Sequence, residues 1–221
     1  MLTRTVAPLL LAVGACARGA TTLDLSPIPV PAVVSTPEAI ARARADSAQL
    51  PWTAADVEFM TGMIGHHAQA IAMSRLAPRN GASQSIRVLA ARIINAQGDE
   101  IRLMRQWLGD RQLPVPEPDP RGMKHEMGGQ SMMMLMPGML TEAQMLELTA
   151  ARGRDFDRLF LQYMIQHHQG AVGMVKTLFA TDGAGQNQTV FKFASDVNVD
   201  QTTEIARMQR MLADLVLGSG K

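Results

Sequence analysis

GMIGHH at residues 62–67 returns in the second half of the chain as YMIQHH at residues 163–168. Each stretch sets two adjacent histidines three residues after a methionine, and together they take four of the chain's five histidines. The likeness extends outward. Asp56, Phe59, Met63, Ile64, His66, His67, Ala70 and Met73 recur at a constant offset of 101 as Asp157, Phe160, Met164, Ile165, His167, His168, Ala171 and Met174. Farther along, Gln97, Glu100, Ile101, Met104 and Leu108 recur at an offset of 104 as Gln201, Glu204, Ile205, Met208 and Leu212. The chain is a duplicated unit whose apolar spacing is helical.

Punctuation residues set the element boundaries. Thr53 is a candidate N-cap with Asp56 three residues on, and a helix is predicted from there to Ala77, where PRNGAS at 78–83 stops it. A second helix is predicted from Ser85 to Leu108. Thr141 and Gln144 form a capping box for a short helix to Arg152. A third long helix runs over 154–180, TDGAGQNQ at 181–188 turns the chain, and a fourth runs over 189–217. Pro37, after Ser35-Thr36, suits the first position of a short helix over 37–48. No stretch reads as strand. Residues 109–140, with five prolines and five glycines, read as a linker.

Two hairpins, each with one apolar face, bury those faces most simply against one another. The expected fold is all-α: a ferritin-like four-helix bundle formed from a duplicated helical hairpin, with short extra helices and a long methionine-rich crossover. The domain spans 37–217, with a first hairpin at 54–108, the linker at 109–140 and a second hairpin at 141–217.

The beginning of the chain reads differently. Arg4, the apolar run from Val6 to Val13 and the small residues Gly14 and Ala15 form a signal peptide over 1–15. Val13-Gly14-Ala15-Cys16 resembles a bacterial lipobox, so Cys16, the only cysteine, is the expected lipidation site. Residues 16–36 then tether the domain to a membrane. Export to the periplasm or cell envelope as a lipoprotein follows. Losing Arg4 leaves 20 basic residues against 20 acidic ones, so no basic face is available for nucleic acid.

Chemistry gathers on the repeated face. At about 100° per residue, Asp56, Phe59, Met63, His66, His67, Ala70 and Met73 share one stripe of the first helix. Gln97, Glu100, Met104 and Trp107 share a face of the second, and Gln201, Glu204, Met208 and Met211 do so in the fourth. Thioethers select Cu(I) and imidazole accepts copper in either state, so copper is the expected metal, Cu(I) preferred, with Cu(II) or Ag(I) as further ions. The candidate donors are Met63, His66, His67, Met73, Glu100 and Met104, with Met164, His167, His168, Met174, Glu204 and Met208 in the second copy. Asp56 and Glu100 are placed to orient a histidine without touching metal. Ordinary core packing, with a carboxylate satisfying each histidine, is the alternative for any one of these positions. Seven of the chain's 17 methionines fall between Met123 and Met139. His125, Met127, Met132, Met134 and Met136 are a second candidate metal site in that linker.

Phe59, Met63-Ile64-Gly65-His66-His67, Ala70 and Met73, followed by Ala90, Ile93, Gln97, Glu100-Ile101, Met104 and Trp107-Leu108, resemble the bacterial family catalogued as domain of unknown function 305. FDRLFLQYMIQHHQGAVGM resembles it equally in the second half. The family includes CopM-like copper-binding proteins, and the resemblance covers residues 54 to 216. It implies a ferritin-like helical fold, export, and copper binding through histidine and methionine in connection with copper resistance. Ala68-Gln69 replaces the more usual polar pair after the first His-His, and Met211 stands where the first copy has Trp107.

The expected function is non-enzymatic: sequestering copper or handing it on to a copper-accepting protein, or taking it from a donor. A di-metal oxidase of iron or copper on the same bundle is the first rival. The chain carries no Glu-x-x-His, the motif that ferritin-like di-iron sites use. A metal-free interaction module, gripping a partner with its methionine loop, is the second.

Overall fold

The computed structural model describes residues 36–38, 41–42, 45, 51–127 and 130–218, with side chains undescribed at 125–131. The signal peptide, Cys16 and residues 17–35 of the tether lie outside the described residues. Within the expected short helix, Pro37, Glu38, Ala41, Arg42 and Ala45 are helical. Pro37–Lys221 forms one compact unit.

Thr53 starts the first long helix, α1 (Ala54–Ser74), with a capping box: its hydroxyl accepts from the Asp56 N–H while the Asp56 carboxylate accepts from the Thr53 N–H at 2.8 Å. Such a cap contributes about 1 kcal/mol. Ser83 caps α2 (Gln84–Asp110), Thr141 and Gln144 box the start of α3 (Glu142–Ala150), and Asn187 caps α5 (Gln188–Leu217). The fourth helix, α4 (Gly153–Ala180), has no side-chain cap and begins at a glycine with φ of 54°. None of the described helices is long and apolar enough to cross a membrane.

One expectation fails. The crossover contains an antiparallel pair, β1 (Met123–Met127) and β2 (Gln130–Met134), with His125 opposite Met132 and Met123 opposite Met134. Methionine-rich runs lack the β-branched and aromatic residues that mark strands. In the sequence, Gly-Gly at 128–129 is the kind of dipeptide that signals a hairpin.

The close helix contacts are α1 with α2, α4 with α5, and α1 with α4. The two histidine helices therefore form the middle of the bundle. Its apolar core falls into two clusters. One gathers Phe59, Met63, Met104, Trp107, Ala171, Val175 and Val197, and the other gathers Ala70, Met73, Ile93, Phe160, Met164 and Met208. Duplicated residues fall in opposite clusters: Phe59 against Phe160, Met63 against Met164, Met104 against Met208, Ala171 against Ala70. A pseudo-twofold axis thus passes between the clusters, where the histidines lie.

The halves are also clasped at their turns. Asp56 accepts from the Gly185 N–H at 2.7 Å, and its counterpart Asp157 accepts from the Ser83 N–H at 3.1 Å. Each aspartate thereby ties its own helix to the turn of the other hairpin.

Candidate metal centre

His66, His67, His167 and His168 are fully buried. They form one polar layer across the bundle axis. The rings of His66 and His167 lie 3.8 Å apart between centroids, inclined by 40°. His67 and His168 sit outward of them, at 6.3 and 6.2 Å from their sequence neighbours. The second histidine of each pair meets a carboxylate from its own hairpin: His67 Nε2 lies 2.7 Å from Glu100 Oε2, and His168 Nε2 lies 2.8 Å from Glu204 Oε2. The second contact is a hydrogen bond. The first is a close charge contact that is not itself a hydrogen bond.

Asp56 does not take the orienting role expected of it. Ten residues of helix place it about 15 Å along the axis from His66. Its carboxylate is occupied by Thr53 and Gly185. Among the described residues, Glu100 and Glu204 hold that position.

Few of the imidazole nitrogens are satisfied. His66 Nε2 faces the Pro137 carbonyl at 3.0 Å and His168 Nε2 meets Glu204, while the other six of the eight ring nitrogens have no hydrogen-bond partner. A buried polar group left unmatched costs about 1–3 kcal/mol. Unmatched imidazole nitrogens are candidate metal donors. Burial, then the proximity of His67, pushes His66 down to about 3, against the opposing pull of the Pro137 carbonyl. His167 is held well below its ordinary value, first by burial and then by His66. Both rings are neutral at physiological pH, as a ligand imidazole must be.

The sulfurs flank this layer on both sides. Met63 and Met104 are fully buried in one apolar cluster, Met164 and Met208 in the other, and Met73 joins the latter. Met174 is half-buried. It meets the crossover, because Met134, Met136 and Met174 line one pocket of about 320 Å³ beside Glu58 and Phe59. The sulfur of Met136 lies so close to α1 that a Cβ on Gly62 would approach it to 2.8 Å. Met132, Met133 and Met134 are exposed on the crossover hairpin. His125 and Met127 stand in β1, their side chains outside the description. Among the described residues no three of His, Cys, Asp and Glu converge as a metal-holding group.

The crossover is strapped over the layer. Gln69 donates to the Pro120 and Leu140 carbonyls at 3.0 Å each and accepts from the Leu140 N–H at 2.6 Å. Gly170 lets the strap descend: a Cβ there would lie 1.9 Å from the Pro137 oxygen. Sequence reasoning passed over both residues. Gln69 stood out there only as a departure from a pattern, and nothing local marks Gly170 as a crossing point.

Residues 56–212 match the family described as Domain of unknown function, DUF305. The chain belongs to the DUF305 family. Solved DUF305 structures are similar to it. One is a protein from Streptomyces coelicolor, provisionally classed as secreted, at 31% identity over 73% of this chain and 93% of that one, with a TM-score of 0.60. Another is a fragment from Deinococcus radiodurans at 29% identity over 74% and 99%, also with a TM-score of 0.60. CopM in its Cu(I)-bound form is 28% identical over 74% of this chain and 98% of that one, with a TM-score of 0.54. CopM structures also exist with Cu(II) and with silver bound. No curated protein matches this DUF305 chain.

Proposed function

We propose that this DUF305 protein is an exported, non-enzymatic copper-binding protein that sequesters copper or passes it on, contributing to copper resistance or homeostasis. The observation that carries the reading is the buried layer of four imidazoles, most of whose ring nitrogens lack a hydrogen-bond partner, with buried thioethers in the apolar clusters on either side. His66 and His167, with His67 and His168 beside them, are the central donors. Met63, Met104, Met164 and Met208 supply sulfur from either side, and Glu100 and Glu204 orient the outer imidazoles. Met134, Met136 and Met174, reachable from solvent, collect a soft ion before it enters the layer. CopM, similar in fold and sequence, has been crystallised with Cu(I), Cu(II) and silver, which supports copper as the cargo.

Export rests on the signal-like residues 1–15, and membrane attachment on lipidation of Cys16. Mass spectrometry of the mature N-terminus tests both. An unmodified chain beginning elsewhere than Cys16 refutes the anchor.

Competition titration under reducing conditions, followed by oxygen uptake with a reductant, tests the function. Tighter binding of Cu(I) than of Fe(II), with no sustained oxygen consumption, is expected. Tighter Fe(II) binding with steady oxygen uptake would make the protein a di-metal oxidase.

A further inference from the structure

On the side of the bundle away from the α1–α4 contact, α2 and α5 enclose a cavity of about 190 Å³. Both copies of the repeat contribute to it equivalently, Gln97 and Glu100 from one and Gln201 and Glu204 from the other, with Asp200 beside them. Arg92 also lines it, so three carboxylates stand against one guanidinium and the cavity is net negative.

The glutamines are the informative members. Gln97 is 3% exposed and Gln201 4% exposed, yet the side-chain oxygen of each has no hydrogen-bond partner, and neither has the Gln201 amide nitrogen. Structural glutamines in a bundle pair with a carbonyl or with each other, as Gln69 does with Leu140. These two are buried at the wall of an acidic cavity with their acceptors unused.

We propose that this cavity is a second cation site, chemically distinct from the histidine layer, taking a partly hydrated divalent cation that prefers oxygen. Carboxylate and amide oxygens are the donor set for such ions, and thioether and imidazole are absent from the wall. The acidic groups do not converge on one point. The ion therefore keeps much of its water, and that water donates to the unused oxygens of Gln97 and Gln201. Glu100 and Glu204 face both sites, since their Oε2 atoms contact His67 and His168. A cation in the cavity consequently draws on the same carboxylates that orient the outer imidazoles.

Mn(II) is the probe, titrated into the metal-free protein and followed by loss of the free-ion signal in electron paramagnetic resonance. One saturable site is expected. It should persist when all four histidines are replaced by alanine, and weaken at least tenfold in Gln97→Leu/Gln201→Leu and in the more conservative Asp200→Asn. The glutamine variant should bind Cu(I) as the parent does, so the copper reading and this one fail separately. Absence of saturable Mn(II) binding in the parent, unchanged affinity in both cavity variants, or loss of the site with the histidines would each overturn the proposal.

Discussion

His66 of the first repeat and His167 of the second meet ring to ring, 3.8 Å apart, on the axis that relates the two halves. Duplication alone suggests one metal site per repeat. The ring contact brings the first histidine of each repeat together, and under the proposed function the two serve one centre. His66→Ala and His167→Ala are each expected to remove the same metal ion, so the double variant should lose little more Cu(I) affinity than either single one. Additive losses in a double-mutant cycle would mean two independent sites.

The strap over that centre depends on a missing side chain. Gly170→Ala would place a Cβ 1.9 Å from the Pro137 oxygen, against backbone that cannot rotate away. A loss of about 1–3 kcal/mol is expected from the overpacking. Gly173→Ala, where nothing lies within 4 Å, should instead be neutral or stabilising by about 0.5–1 kcal/mol. Urea denaturation of the metal-free variants checks both, and equal effects would contradict the crossing geometry.

Gln69 holds the same strap from the other helix. Gln69→Leu removes its hydrogen bonds to Pro120 and Leu140 and leaves the buried Leu140 amide unmatched. The expected destabilisation is about 1–3 kcal/mol. Proteolysis should also begin within residues 109–140 at lower protease concentration than in the parent. Cleavage and stability unchanged from the parent would show that the strap is held by other contacts.

Acid should destabilise the metal-free protein through the histidine layer. In the unfolded chain His66 titrates near 6.5, and in the fold at about 3. Between those values the unfolded state binds more protons, so stability falls as pH drops from about 6.5 toward 3. His167 shifts in the same direction. Urea midpoints measured at pH 7.5 and pH 5 test this, with the lower midpoint expected at pH 5. Identical midpoints would contradict the buried neutral state.

The helices and the duplication were legible because helical period and capping are local properties. Thr53 with Asp56 and Thr141 with Gln144 cap as their spacing implies. The buried face was legible for the same reason, from Asp56 to Met73. The histidines' arrangement was not. Whether His66 meets His167 or its own hairpin partner depends on how two hairpins dock, and the docking is fixed by distant contacts such as Asp56 with Gly185. The same aspartate shows the limit of face-level reasoning. It shares the histidines' stripe, but three turns of helix carry it to the far turn. The crossover strands were missed because thioether side chains carry no β signature, and the pairing of Met136 with Met174 joins residues assigned from sequence to separate sites.

Cu(I) titration of the four-histidine alanine variant against a colorimetric chelator, beside the parent and under reducing conditions, tests the central claim most directly. At least a hundredfold weaker binding in the variant is predicted, with only the weaker methionine sites of the crossover retained. Parent affinity and stoichiometry in a chain without His66, His67, His167 and His168 would contradict it.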